Sequence, residues 1–198
     1  TMLPDDPVCT AMLAHVALQR YDFEDAIRYA TASIKAREHH QPRVARAFAR
    51  LHRREWGEGW DDYHHGLGFM QWRDKQEYGI PEWTGQGGRV LVYGEQGLGD
   101  QLAYCSAFGN NVEQVVCHPK LANLLRRSLG VEVHGDQFAK EIAWDVRADR
   151  AINMAGYMRY TRRTPADFPG TPYLKPHPDK TLQWRALLDS LGGAPKIG

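Results

Sequence analysis

The chain has no Gly-Lys-Ser or Gly-Lys-Thr triplet in its 198 residues, which excludes the phosphate-cradling loop of P-loop nucleotidases. It lacks a dinucleotide fingerprint as well. Counting on from Gly97 and Gly99, the third glycine position of G-x-G-x-x-G holds Leu102, and the second strand, expected at 114–117, runs into His118-Pro119 instead of an acidic ribose-binding residue. No charge of one sign dominates: 25 Lys and Arg against 24 Asp and Glu leave a formal +1, too little to draw nucleic acid or a bilayer. No stretch approaches the roughly 20 apolar residues of a membrane span. The acidic opening Thr1-Met2-Leu3-Pro4-Asp5-Asp6 lacks the apolar core of a signal peptide, so a cytoplasmic location is expected. Cys9, Cys105 and Cys117 are odd in number and far apart, which suits free thiols better than a disulfide framework. The pairs His39-His40 and His64-His65 point in different directions on any regular element. No cluster of cysteines or carboxylates completes a ligand set, so no metal is expected.

With 42% hydrophobic and 25% charged residues the chain can bury an ordinary core. Residues 1–80 read as paired helices. Asp6-Pro7 is a cap followed by a first-turn proline, and Leu13, Ala14, Ala17, Ala26, Ala30 and Ser33 give large and small residues at helical spacing. The segment Trp56-Gly57-Glu58-Gly59 mirrors Phe23-Glu24-Asp25-Ala26, and Gly59 follows Ala26 by 59 − 26 = 33 residues, close to the roughly 34-residue tetratricopeptide period. Two repeats seldom stand alone, so they are expected to end a longer array or to form a docking shoulder. Arg43, Arg46, Arg50 and Arg53 make a basic stripe suited to an acidic protein partner or simply to solvent.

Residues 72–88 form a connector, and 81–198 alternate apolar strands with helical patterns, the signature of βαβ units and a parallel, Rossmann-like sheet in an α/β chain. Leu121, Leu124, Leu125 and Leu129 line one helical face, with Gly130 as its C-cap. Strands are expected at 131–133, 143–146 and 151–153. Asp179 is expected to cap a last helix that turns Trp184, Leu187, Leu188 and Leu191 to the core and ends at Gly192.

The richest stretch is Arg-Val-Leu-Val-Tyr-Gly-Glu-Gln-Gly-Leu-Gly-Asp-Gln-Leu at 89–102. Val90, Leu91 and Val92 suit a strand buried on both faces, and Gly94, Gly97 and Gly99 are expected to supply backbone conformations closed to other residues. Asp100 falls at the expected helix start, where it either caps backbone N–H groups or faces a ligand crevice at the strand's carboxyl end.

This loop, preceded by Pro81-Glu82-Trp83-Thr84-Gly85, resembles the start of the catalytic region in bacterial tetratricopeptide-repeat glycosyltransferases, relatives of the heptosyltransferases and, more distantly, of O-linked N-acetylglucosamine transferases. The likeness continues through Gly130-Val131 and Pro172-Tyr173-Leu174 to Lys196-Ile197-Gly198, which looks like the first strand of a second domain. It departs after Asp100, where Leu102-Ala103-Tyr104-Cys105-Ser106 replaces an Ile-Gln-Phe-x-Arg-Tyr type sequence. The resemblance implies the N-terminal, acceptor-side half of a GT-B fold, cut before the domain that holds a nucleotide-sugar donor and inactive alone. It also implies Asp100 as the base that deprotonates an acceptor hydroxyl on a glycan, lipid or protein, with no cofactor or metal. Glu95 and Gln96 would hold the acceptor or pin the loop, Gly97 and Gly99 would shape it, and Gln101 and Arg159 complete the expected substrate contacts. Arg159, with Arg162 and Arg163, could meet an anionic acceptor or the donor diphosphate. The contrasting reading is a non-catalytic interaction module.

Overall fold

Alanine at helical spacing sets the first layer. The computed structural model describes residues 6–70, 73–139 and 141–193, and opens with α1 (Pro7–Gln19), α2 (Phe23–Ala36), α3 (His40–His52) and α4 (Trp56–His64). Ala14, Ala30 and Ala45 form one contact cluster and Ala17, Ala26 and Ala49 another, so α1, α2 and α3 approach closely over side chains with no rotamer freedom to lose. Asp6 caps α1 by accepting from Val8 N at 2.8 Å and Cys9 N at 3.0 Å. The two hairpins repeat in register. Helix starts at Pro7 and His40, left-handed turn residues Tyr21 (φ 61°) and Arg54 (φ 64°), and second-helix starts at Phe23 and Trp56 are each 33 residues apart (40 − 7, 54 − 21, 56 − 23).

The arginine stripe of α3 does not await a partner. It turns onto Asp62 of α4, only 3% exposed, which accepts from Arg46 Nε at 2.7 Å and Nη2 at 2.8 Å, Arg50 Nη1 at 2.7 Å and Arg43 Nη1 at 3.2 Å. Arg53 pairs with Glu55 and Glu24. The spacing that reads as an exposed basic face is therefore the seam between α3 and α4.

The second layer is a parallel sheet in the order β3-β2-β1-β4, made of β1 (Val90–Tyr93), β2 (Val112–Val116), β3 (Glu132–His134) and β4 (Arg150–Asn153). Helices α5 (Leu98–Cys105), α6 (Ala122–Leu129) and α7 (Met154–Thr161) contribute to the same core cluster as Val90, Val92, Val115 and Ile152. The opposite face, carrying Leu91, Tyr93 and Val116, is covered by Tyr78, Ile80, Trp144, Val146 and Ala148, all in irregular segments. Crossover handedness explains the split. Steps from β1 to β2 to β3 run one way across the sheet, while β3 to β4 runs back, and a crossover of the same hand must then pass over the other face.

That return crossover occupies 143–146, where a strand is expected from sequence. Its backbone bonds to the side chain of buried Gln114, whose Nε2 donates to Asp145 O at 2.9 Å and whose Oε1 accepts from Arg147 N at 2.7 Å, so no ladder forms there. The outer edge of β4 is protected by the Pro81–Trp83 stretch: Trp83 N donates to Ala151 O and Ala151 N to Pro81 O, both at 2.9 Å. Gly130 ends α6 in the left-handed region (φ 70°), as its position suggests.

The last helix, α8 (Pro178–Ser190), differs from expectation. Its N-cap is His177, not Asp179, and none of its residues is buried; Trp184 is 62% exposed and Leu187, Leu188 and Leu191 are exposed beside it. Arg127 of α6 shares a surface cavity with Trp184 and Leu188 without burying either. Lys196, Ile197 and Gly198, expected to open a further strand, and Trp72, at the head of the connector, lie outside the described residues.

The helices and the sheet share one core. Ala47, Trp60 and Tyr63 belong to the cluster that contains Val90, Val92, Trp83 and Tyr157, and the Trp83 ring stacks on Tyr157 at 4.9 Å between centroids. Thermal unfolding is accordingly a single transition, and Trp60→Ala or Trp83→Ala lowers stability by about 3 to 5 kcal/mol. Calorimetry that resolves two transitions, or a change below about 1 kcal/mol, would refute the shared core.

Candidate functional site

In an open parallel sheet the place where successive connections leave in opposite directions is where a crevice forms at the carboxyl ends of the strands. Here it lies between β1, whose chain departs toward β2, and β4, on its other side. The two segments leaving these strands carry Glu95 and Asn153, and they meet. Glu95 Oε1 accepts from Asn153 Nδ2 at 2.8 Å, from Ala155 N at 3.3 Å and from Gln96 Nε2 at 3.3 Å. Arg73, from the connector, brings Nη2 to 3.7 Å of the same oxygen.

Glu95 and Arg73 are only 4% and 1% exposed. Burial raises the Glu95 carboxyl above the ordinary carboxylate range, while the Arg73 charge and the Asn153 bond pull it down less strongly. All four partners crowd on Oε1; Glu95 Oε2, Asn153 Oδ1 and two Arg73 nitrogens have no hydrogen-bond partner among the described residues. Arg73 is held by Tyr63, donating to its backbone O at 2.6 Å and lying 4.0 Å above its ring. Tyr63 OH in turn donates to Gln96 Oε1 at 3.0 Å.

Gln101 forms the other half of the floor. Fully buried on the first turns of α5, it donates to Gln96 O and Gln137 Oε1 at 2.7 Å each and accepts from His118 N at 2.9 Å. One amide thus fastens the loops that leave β1, β2 and β3, and Gln101, expected among the substrate contacts, is placed fully buried in the floor. Gly94 is small for the same reason, since a Cβ there would meet the Gln101 amide at 2.7 Å.

The rim consists of Gly97, Leu98, Gly99 and Asp100, all exposed. The helix begins one turn earlier than expected: Gly97 is the N-cap (φ −66°) and Asp100 is the third residue of α5, making no capping bond. None of Gly94, Gly97 and Gly99 has positive φ, so the loop needs no conformation closed to other residues. Asp100 has no hydrogen-bond or ion-pair partner among the described residues, and its Oδ2 lies 3.4 Å from where a Cβ on Gly97 would sit. Its charge reaches the hydroxyls of Tyr63 and Tyr104, which burial first, and Glu95 and Asp100 in smaller measure, push above the ordinary tyrosine range.

Arg159 stands elsewhere. Its Nε donates to Asp61 Oδ1 at 2.8 Å, and Arg163 Nη2 donates to Asp61 Oδ2 at 2.9 Å, so both clamp α7 to α4. Arg162 donates to Ser106 O at 2.8 Å. The arginines expected to bind an anion are thus occupied within the fold. Sequence reasoning missed Arg73, Asn153, Tyr63 and Tyr104; the polar residue closing the apolar strand Arg150–Asn153, at a sheet's carboxyl end, was the available signal. Among the described residues no group of three or more His, Cys, Asp and Glu could hold a metal ion, and no helix is long and apolar enough to cross a membrane.

Compared with known proteins, the chain is similar to Protein FlbA of Caulobacter vibrioides, with 29% identity over 170 residues covering 72% of this chain. The match spans 28% of FlbA, less than a third of that relative's length. No protein-family model and no solved structure matches the chain.

Two measurements test the floor. Because the Glu95 value is raised in the folded state, the folded chain binds that proton more tightly than the unfolded chain. Its contribution to stability is therefore greatest in acid and declines as pH rises from the ordinary carboxylate range through the folded value. Arg73→Met removes the counter-charge and raises Glu95 further, so the variant loses about 3 to 5 kcal/mol near neutrality and markedly less near about pH 5. Urea titrations showing equal losses at both pH values would overturn the pairing. For the loop, Gly94→Ala displaces Gln101 and costs about 1 to 3 kcal/mol, whereas Gly99→Ala, which meets nothing within 4 Å, leaves stability unchanged or gains up to about 1 kcal/mol. Loss of stability in Gly99→Ala would restore a backbone role for that glycine.

Proposed function

We propose that the chain is the acceptor-side part of a glycosyltransferase of the GT-B type, with tetratricopeptide-like hairpins packed against it and Asp100 as the general base. The observation that carries the reading is the state of Asp100: an exposed carboxylate with no hydrogen-bond or ion-pair partner among the described residues, on the first turn of the helix that follows the central strand, beside the topological switch point. The 33-residue register of the hairpins and the Glu-Gln-Gly-x-Gly-Asp loop support the same assignment.

In the proposed reaction an acceptor hydroxyl attacks the anomeric carbon of a nucleotide sugar. The new glycosidic bond forms as the bond to the nucleoside diphosphate breaks, and the hydroxyl proton passes to Asp100. Tyr63 OH is committed to Gln96 Oε1, while Tyr104 OH, which accepts from Gln96 Nε2, keeps its own proton beside the rim. Glu95 and Gln101 hold the loop in register instead of touching substrate. The donor site is assigned to polypeptide outside this chain, and the acceptor is a glycan, lipid or protein hydroxyl.

In the natural full-length protein, Asp100→Asn lowers kcat by about 100-fold or more, with stability within about 0.5 to 1 kcal/mol of wild type because the side chain has no bond to lose. Turnover near wild type would remove Asp100 from the chemistry. One observation favours a second reading, a non-catalytic interaction module: Arg159 and Arg163, expected to meet an anionic acceptor or the donor diphosphate, are both paired with Asp61. Absence of any sugar transfer by the wild-type protein with nucleotide-sugar donors would support it.

A further inference from the structure

The chain entering α8 is fastened to α6. Lys175 N donates to Ser128 Oγ at 3.0 Å, and Arg127 Nε donates to Lys175 O at 2.8 Å. In the angle between the two helices lies an open cavity of about 660 Å³, a size common among small-molecule sites. Lys180, Trp184 and Leu188 follow at i, i+4 and i+8 on α8, with Arg185 in the adjacent row, and Arg127 of α6 joins them in the lining. Two features of that lining occur together. Its cations lack counter-charges: among the described residues the Lys180 and Arg185 side chains make no ion pair or hydrogen bond, and Arg127 bonds only to the carbonyls of Lys175 and Asn123. Asp189 is the single carboxylate of the lining. The apolar part includes an indole left in water, since Trp184 is 62% exposed on a helix with no buried residue.

We propose that this cavity binds an aromatic anion, a planar ring joined to a phosphate group of the kind a nucleotide presents. The ring stacks on Trp184 beside Leu188, and the phosphate oxygens take charge-assisted bonds from Arg127, Lys180 and Arg185. Each half of the ligand answers one feature of the lining. A bare anion would leave the indole and Leu188 in water, and an uncharged ring would leave three cations facing one carboxylate. A ligand that carries both removes apolar surface from water and supplies the missing negative charge at once. The inference stands apart from the role of Asp100.

Titration calorimetry on the 198-residue chain at about 50 mM salt tests it, with ADP as the probe and pyrophosphate and adenosine as its two halves. ADP binds with a Kd below about 1 mM and at least about 10-fold more tightly than either half, because linked contacts lose translational freedom only once. Trp184→Ala weakens ADP at least about 5-fold, as loss of a base-stacking platform does. The double variant Lys180→Ala with Arg185→Ala weakens ADP and pyrophosphate and leaves adenosine unchanged. All three side chains are exposed, so the variants keep the wild-type melting temperature. Absence of ADP binding at about 5 mM overturns the proposal. So does ADP binding no tighter than pyrophosphate, which reduces the cavity to a patch of charge, or ADP binding undiminished in both variants, which places it elsewhere on the chain. ADP affinity that falls as protein concentration rises also overturns it, by assigning the face to a second copy.

Discussion

A carboxyl group buried at the carboxyl ends of two parallel strands is the constraint around which this molecule is arranged. Removing Glu95 from water is costly unless bonds replace its hydration. The replacements come from four separate places: Asn153 at the end of β4, the amide of Ala155 on α7, the neighbouring Gln96 and the connector residue Arg73. None of these is close to Glu95 in sequence except Gln96, so satisfying one oxygen brings the end of β4, the start of α7 and the connector to fixed positions. Arg73, itself buried, then needs Tyr63, and that requirement draws α4 over the strand ends. The attachment of the helical layer to the sheet is thus electrostatic at its centre and apolar around it.

Two adjacent aspartates on α4 complete the attachment. Successive helical residues point about 100° apart, so Asp62 faces α3 while Asp61 faces α7. Asp62 takes three arginines of α3, and Asp61 takes Arg159 of α7 and Arg163 just beyond its end. Partial burial pushes the Asp61 carboxyl up, but the Arg163 and Arg159 bonds outweigh it and hold the group below its usual range. Exposed ion pairs are worth little individually. The set on Asp62 is different because its carboxylate is nearly dry, so removing that one acceptor would leave several guanidinium groups short of bonds.

Periodic features were legible in the sequence, and convergent ones were not. Ala14, Ala17, Ala26 and Ala30 announced close helix packing, Val90 to Val92 a doubly buried strand and Gly130 a helix end, because each depends on residues within a turn or two of chain. The arginines of α3 misled because spacing shows that four side chains share a face but not what lies opposite; Asp62 is 12 residues beyond Arg50 and carries no mark of burial. Trp184, Leu187, Leu188 and Leu191 misled in the other direction, since their pattern defines a face without guaranteeing that anything covers it. The glycines of the central loop were read as conformational necessities. Gly94 instead makes room for Gln101, a steric relation that no local pattern reveals.

The candidate site shows the same division between floor and rim. Gln101 holds three loops at once, and a loop fixed by buried amides presents its outer residues in one geometry, which is what a catalytic group needs so that no reorganisation is left for the moment of reaction. Of the polar side chains from residue 95 to residue 101, Glu95, Gln96 and Gln101 are all bonded inward, and Asp100 alone has no hydrogen-bond or ion-pair partner among the described residues. A helix-capping role would have given Asp100 a backbone N–H, and Gly97 holds the cap position in its stead. What remains to Asp100 is an exposed carboxylate on the first turn of a helix held by buried amides, and it is on this feature that the proposed base role rests.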